Sequence, residues 1–418
     1  MPYGKDDEII LEVPDEKVYF VVDRGVAPAI EDVGSQVKRS LRKPMGSPPL
    51  QKMVDSGSRV LIVGDDNTRP TPLDIILPAL LDELNASGVP DENVEALIAL
   101  GTHRSMTKRE IQEKFGEEVV ERIPVMNHDY KDYDNLINVG KTRSGIPIVV
   151  NKKVFQADLV IGVGNIVPHS IAEWGGGGKI IQPGVCGEET TTQTHVMGRT
   201  MRRSGEFVGK IRKRIRREMD EIAVKANLGM IINTVLNEKD EVAHIFTGDP
   251  IRAFRRGVKT ARELYCPKVP GLADIVVVSS YPSDIDYWQA GKPLEYAVEV
   301  VKPGGTIILI TPCPEGISPA HPIFRERAKL SFEENLKAIE EREVDDLLAL
   351  SAVLALKRAM RRADVICYSD GLTAKDMEAL GFKQASSVGE AIEMAFERQG
   401  KDARIGILKC GEILPIVG

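Results

Sequence analysis

The chain has 418 residues, 42% of them apolar and 28% charged, with a formal net charge of −7. That is an ordinary globular composition with room for two or three domains. It excludes wholesale nucleic-acid binding, and no apolar run approaches the roughly 18 residues of a membrane span. Five widely spaced cysteines without a CxxC pair argue against a disulfide framework. The charged opening MPYGKDDEII lacks a signal-peptide pattern. The expected compartment is therefore the cytoplasm, with no membrane and no nucleic-acid partner.

In chain order, EIILEVPDEKVYFVV alternates like a hairpin split at Pro-Asp. After the linker KPMGSPPL, the short apolar runs SRVLIVGDD, VEALIALGTH and ADLVIGVGNIVPH read as strands. Between them, TPLDIILPALLDELNASG and TKREIQEKFGEEVVERI read as amphipathic helices. The basic cluster KIRKRIRRE (210–218) reads as a solvated helix face, and DPIRAFRRGVKTARELY (249–265) as a connecting helix. The second half repeats the style. Its strands are ADIVVVSSYP, GGTIILITPCPEG, ADVICYSDG and RIGILKCGE, with helical stretches between.

Nearly continuous apolar strands alternating with helices predict α/β lobes with mainly parallel sheets. The expected division is a cofactor-binding α/β domain over 1–248, a connecting helix and hinge over 249–270, and a second α/β domain over 271–418. The active site falls in the cleft between the lobes, with the extreme C-terminus packing back on the first domain.

In open α/β sheets ligands gather at the carboxyl ends of strands. The unusual polar residues recur there: Asp65-Asp66-Asn67-Thr68-Arg69, Thr102-His103-Arg104 and Asn165 to His169 in the first half. Tyr281 to Asp284 and Thr311 to Glu315 do likewise in the second.

The stretch HSIAEWGGGGKIIQPGVCG (169–187) looks like a phosphate loop. A P-loop needs GxxxxGK followed by Ser or Thr, but the first glycine position is Glu173 and the hydroxyl position is Ile180. GVGNIV (162–167) fails as a dinucleotide fingerprint because its third glycine position is Val167. Gly175, Gly176, Gly177 and Gly178 still allow close backbone approach to a ligand.

Of six histidines, His103 and His169 lie at strand ends and His195 follows the loop. Histidine suits acid–base work near neutral pH and metal ligation alike. His128, His244 and His321 read as ordinary surface or loop residues. Two other readings stay open: an anion- or nucleotide-binding protein that uses the glycine loop as a cradle, and a zinc hydrolase built on the three histidines. No HxH or HExxH pair supports the second.

DDNTRP (65–70), GTHRS (101–105), PHSIAEWGGGGKIIQPG with its H-x9-K spacing, TQTHVMGR (192–199), WQAGK (288–292) and PCPEG (312–316) together resemble the lactate racemase family. The resemblance spans essentially the whole chain. It implies a 2-hydroxy-acid racemase or epimerase that works by reversible hydride transfer from substrate C2. The implied cofactor is a nickel-pincer nucleotide, a pyridinium thioamide/thiocarboxylate mononucleotide carrying Ni, made by dedicated cofactor-synthesis enzymes.

By that resemblance Lys179 tethers the cofactor, with Asp66 and the four glycines around it, and His195 ligates nickel. His103 and His169 are the acid–base pair, one for each substrate face. Arg69 anchors the carboxylate, and Gln289, Lys292 and Trp288 complete the substrate pocket from the second lobe. Hydride removal avoids abstracting a non-acidic proton next to a carboxylate.

The sequence departs from the family's lactate enzymes in two places. Trp288 stands where they have tyrosine, and no tryptophan occurs late in the second domain. The chemistry is expected to be kept, while the substrate ranges over lactate and larger aromatic, dicarboxylic or sugar acids.

Overall fold

The computed structural model describes residues 1–5, 7–200 and 214–418. Its first lobe is built on a six-stranded sheet in the order Val242–Gly248, Leu228–Leu236, Leu159–Asn165, Val60–Asp65, Val94–Ala99, Val125–Asn127. All neighbours are parallel except the first two, which form an antiparallel pair. The strands are mostly apolar because both faces are covered. Leu61 and Val63 join the core on one face, Val60 and Ile62 the core on the other.

The second lobe repeats the plan with an all-parallel sheet in the order Lys383–Gln384, Ala363–Tyr368, Val301–Ile310, Ala273–Ser279, Ile405–Leu408, Val18–Val22. Val276 and Val278 face one core, Ile275 and Val277 the other.

Helices fall where apolar periodicity and end signals place them. Leu73–Ala86 and Val388–Gln399 are single helices. TKREIQEKFGEEVVERI forms two, Lys108–Phe115 and Glu117–Arg122, broken at Gly116 with φ 84°. Lys108–Phe115 begins with a capping box between Thr107 and Glu110.

Three expectations need correcting. The opening residues do not form a hairpin with Val18–Val22. That strand pairs in parallel with Ile405–Leu408 and is an edge of the second lobe's sheet, although the sequence division assigns it to the first. Alternation shows that a strand has one buried face but not which sheet supplies it.

The helix Arg252–Tyr265 is not a free connector. Ala253, Phe254, Val258, Ala261 and Tyr265 are buried in the first lobe's core beside Ile166 and Ile231. The chain therefore crosses between lobes twice, before the helix Val33–Arg42 and after Tyr265. At the second crossing the C-terminal strand Ile416–Val417 returns to pair with Lys268–Val269.

The basic stretch is the third. Residues 210–213 lie outside the described residues, and Arg214–Lys225 is a helix. Its Arg216 is only 1% exposed, so this part is not a solvated face.

Candidate active site

The carboxyl ends of both sheets meet at one cleft. It holds about 1230 Å³ of space including its open mouth, and is lined by Asp66, Arg69, His103, His169, Lys179, His195, Trp288 and Lys292 among others.

The strand Val60–Asp65 delivers the DDNTRP turn. Lys114 pins this turn: its Nζ lies 3.2 Å from Asp65 Oδ1 and donates to the Thr71 carbonyl at 2.8 Å. Asp66 then accepts from Thr68 Oγ1 at 2.6 Å and faces His103, with Oδ2 2.5 Å from Nδ1. On the other side of that imidazole, Gln289 Nε2 lies 2.7 Å from His103 Nε2, and Lys292 Nζ donates to Gln289 Oε1.

The lysine fixes the amide's orientation, and the amide and carboxylate together fix the histidine tautomer. Nδ1 carries the proton and donates to Asp66, while Nε2 keeps its lone pair. Burial lowers the His103 pKa below its ordinary value against the opposing pull of Asp66, so the ring is neutral at neutral pH. Burial works against the Asp66 carboxylate, but His103 and Arg69 hold it below the usual carboxylate range.

His169 is arranged the other way. A tight antiparallel pair, Pro168–His169 with Glu173–Trp174, brings the amides of Ile171 and Ala172 within 3.2 Å of His169 Nδ1. Nδ1 is thus the acceptor and Nε2 carries the proton. Burial, then Lys179, Lys292 and Arg69, push its pKa well down. The cleft presents one imidazole lone pair and one imidazole N–H.

The glycine run does two jobs. Gly175 and Gly176 line the cleft. Gly177 and Gly178 do not, contrary to expectation: a Cβ on Gly177 would meet Arg216 Nη2 at 2.5 Å, and one on Gly178 would meet Ala223 at 2.9 Å. Gly176 and Gly177 also adopt positive φ, 81° and 56°.

Arg216, missed in the sequence because it sits in a run of basic residues, braces this turn. Nη1 donates to the carbonyls of Trp174 and Gly176, each at 3.1 Å, and the guanidinium lies 3.7 Å from the centre of the Phe254 ring. Nε pairs with Asp220 at 3.0 Å. Arg216→Ala removes the guanidinium's bonds to the Trp174 and Gly176 carbonyls, strands Asp220 and leaves a void under the loop. We expect it to cost about 3 kcal/mol or more in urea unfolding, with little recovery by Arg216→Lys.

Lys179 is half-buried in the cleft, near Arg69 and Arg216. Burial first, then Arg69, lowers its pKa to about 7, so a large share is free amine at neutral pH. His195, on the helix Glu188–Thr200, donates Nδ1–H to the Thr191 carbonyl at 2.8 Å. Nε2 is left with its lone pair, and burial holds the pKa down at about 3. That is the form a metal ligand needs.

Asn165, at a strand end in the same cleft, has a buried Nδ2 with no hydrogen-bond partner among the described residues. A nucleophilic amine, a prepared imidazole and an unmet donor fit a tethered metal-bearing nucleotide. Among the described residues no group of three His, Cys, Asp or Glu is placed to hold a metal, so His103, His169 and His195 do not make a zinc triad. The acid–base geometry is also more than an anion cradle requires.

His321 is not the ordinary loop residue expected. It is 3% exposed and stacks on Trp288, with ring centroids 4.1 Å apart. Nδ1 pairs with Asp346 at 2.8 Å, and Nε2 meets Thr102 Oγ1 across the lobe boundary at 3.3 Å. Two ion pairs also cross between the lobes, Arg104 with Glu315 and Arg199 with Glu295, each at 2.5 Å. His128 is buried and structural, its Nε2 3.0 Å from the Cys186 carbonyl. All five cysteines are free thiols, and no helix among the described residues is long and apolar enough to cross a membrane.

Fold and cleft together define a two-lobed α/β protein whose sheet ends gather histidines, lysines and an arginine at one cleft. Its residues 3–207 match the lactate racemase N-terminal domain and residues 269–414 the lactate racemase C-terminal domain. The chain belongs to the lactate racemase family.

It is 29% identical to the lactate racemase of Thermoanaerobacterium thermosaccharolyticum, over 98% of this chain and 97% of that one. It is also 29% identical to the lactate racemase of Lactiplantibacillus plantarum, over 90% and 89%. The lactate racemase apoprotein structure from T. thermosaccharolyticum superposes with a TM-score of 0.87, at 28% identity and 99% coverage of both chains. A Thermotoga maritima protein shares the fold, with a TM-score of 0.73 at 20% identity, covering 94% of this chain and 100% of that one.

Proposed function

We propose that this racemase inverts C2 of a small 2-hydroxy acid in the cytoplasm, using a nickel-pincer nucleotide attached at Lys179 and ligated by His195. The observation that carries the reading is the convergence of Lys179, His195, His103, His169 and Arg69 on one cleft. When bound, the nickel-pincer group supplies a hydride acceptor for C2.

The rest is the work of this chain's residues. Arg69 offers a planar guanidinium to the substrate carboxylate, which a bidentate fork suits better than a point charge. The pKa of Lys292 is held well below its ordinary value by burial and by Arg69, and an incoming carboxylate restores its charge. The substrate hydroxyl donates to His103 Nε2, the lone pair that the Gln289 amide now occupies. His103 takes that proton while Asp66 stabilises the imidazolium.

On the opposite face His169 Nε2–H donates to the oxygen. For the mirror-image substrate His169 acts as the base only after its ring proton moves to Nδ1, giving up the bonds from the Ile171 and Ala172 amides so that Nε2 can accept the hydroxyl proton.

Protein produced with the cofactor-synthesis enzymes should racemise an enantiopure 2-hydroxy acid, and protein produced without them should not. Chiral chromatography reads the outcome. Equal rates for the two preparations would overturn the proposal.

A further inference from the structure

Beside Lys292 and Glu295, the second lobe lines the cleft with a largely apolar face. Trp288 and Phe324 form one part, and a face of the helix Leu347–Met360 forms the rest through Ser351, Ala352, Ala355 and Leu356. The one polar group among these helix residues is already used: Ser351 Oγ donates to the Leu348 carbonyl at 2.8 Å. Serine and alanine at 351, 352 and 355 leave this part of the wall recessed. The chain's only other tryptophan, Trp174, is fully buried in the first lobe's core and fills none of the recess.

The aromatic part is held rigidly. Trp288 lies against His321 with an interplanar angle of 17°, meets Phe324 edge-on at 6.0 Å, and His321 is tied to Asp346 and Thr102.

We infer that the C2 substituent of the substrate is a bulky branched or aromatic hydrocarbon, larger than the methyl group of lactate. The inference rests on the function proposed above. Arg69 and Lys292 line the cleft and are assigned above to the substrate carboxylate, and Arg199, the other arginine lining it, is already paired with Glu295 at 2.5 Å, so among the described residues no free cation waits on this face for a second carboxylate. The hydroxyls of a sugar acid would be buried there without partners. A methyl group would leave the recess unfilled, and each methylene that fills an apolar pocket is worth roughly ten- to a hundredfold in kcat/KM.

The test is racemisation by the holoenzyme of lactate, 2-hydroxy-4-methylpentanoate, 3-phenyllactate, malate and gluconate. Calorimetric binding of the same acids to the apoprotein is measured in parallel. We expect one of the two bulky apolar acids to exceed lactate by at least about tenfold in kcat/KM and to bind more tightly, with malate and gluconate inert.

Ala352→Phe fills the recess and should lower the ratio of bulky-acid to lactate kcat/KM by about tenfold or more. Ala355→Leu serves the same purpose if the first variant fails to fold. Preference for lactate, malate or gluconate would overturn this inference and leave the racemase reading intact. Inversion of no acid by cofactor-loaded protein would overturn both.

Discussion

Lys179→Ala, produced alongside the cofactor-synthesis enzymes, should show the unmodified mass of the chain and lose racemisation by at least about a thousandfold. Tethering makes an encounter between enzyme and cofactor intramolecular, an advantage that reaches effective molarities on the order of 10⁵ M. The lysine is prepared for this: burial and Arg69 bring its pKa to about 7, so its amine is nucleophilic without an external base.

The sign of the pH dependence follows. Protonation blocks attack, so adduct formation on the wild-type chain should slow as pH falls below about 7. Lys179→Arg keeps a cation but offers no acylable amine, and should fail equally. Intact-mass spectrometry and chiral analysis decide the matter. Full activity in Lys179→Ala would remove the tether from the mechanism.

The second large effect is expected at Asp66. Asp66→Asn keeps the size of the side chain but lets an amide N–H face His103 Nδ1 where a carboxylate now accepts at 2.5 Å. The ring is then driven to the tautomer with its proton on Nε2, the nitrogen that must accept the substrate proton. The equivalent change in a serine-protease triad costs about 10⁴-fold in kcat. We expect a loss of about a thousandfold or more, with KM little changed because Arg69 remains.

The pH profile separates this from general damage. Asp66 raises the His103 pKa against burial, so its loss should move the acid limb of the rate profile to lower pH. An unchanged acid limb together with an unchanged rate would exclude Asp66 as the positioning residue for His103.

Much of this site is written in local sequence. Asp66, His103 and His169 stand out because each follows an apolar strand, where α/β sheets expose their loops. Lys179 and His195 stand out because of their spacing around the glycines. Arg216 is invisible at that level: a basic residue among basic residues gives no sign that it turns inward to two carbonyls and the Phe254 ring. Lys114 and His321 are hidden for a related reason, since their partners Asp65, Trp288, Asp346 and Thr102 are near only after folding.

The glycines mislead in part. Permissive backbone invites a ligand explanation, but at Gly177 and Gly178 the missing side chain makes room for protein atoms. The two-lobed plan is legible from the alternation of strands and helices. The membership of Val18–Val22 is not, because period-two alternation carries no record of which edge it meets.

That opening strand also sets an order of events during synthesis. Val18–Val22 leaves the ribosome long before its partner Ile405–Leu408 is made. The first lobe, continuous from Val33 to Tyr265 in its sheet and helices, can close while translation continues. The second lobe's sheet must wait for Ile405–Leu408 to be made, holding a β-prone segment unpaired through all the residues between. A nascent chain stalled before Ile405 therefore carries a folded first lobe and an N-terminal strand with nothing to pair with.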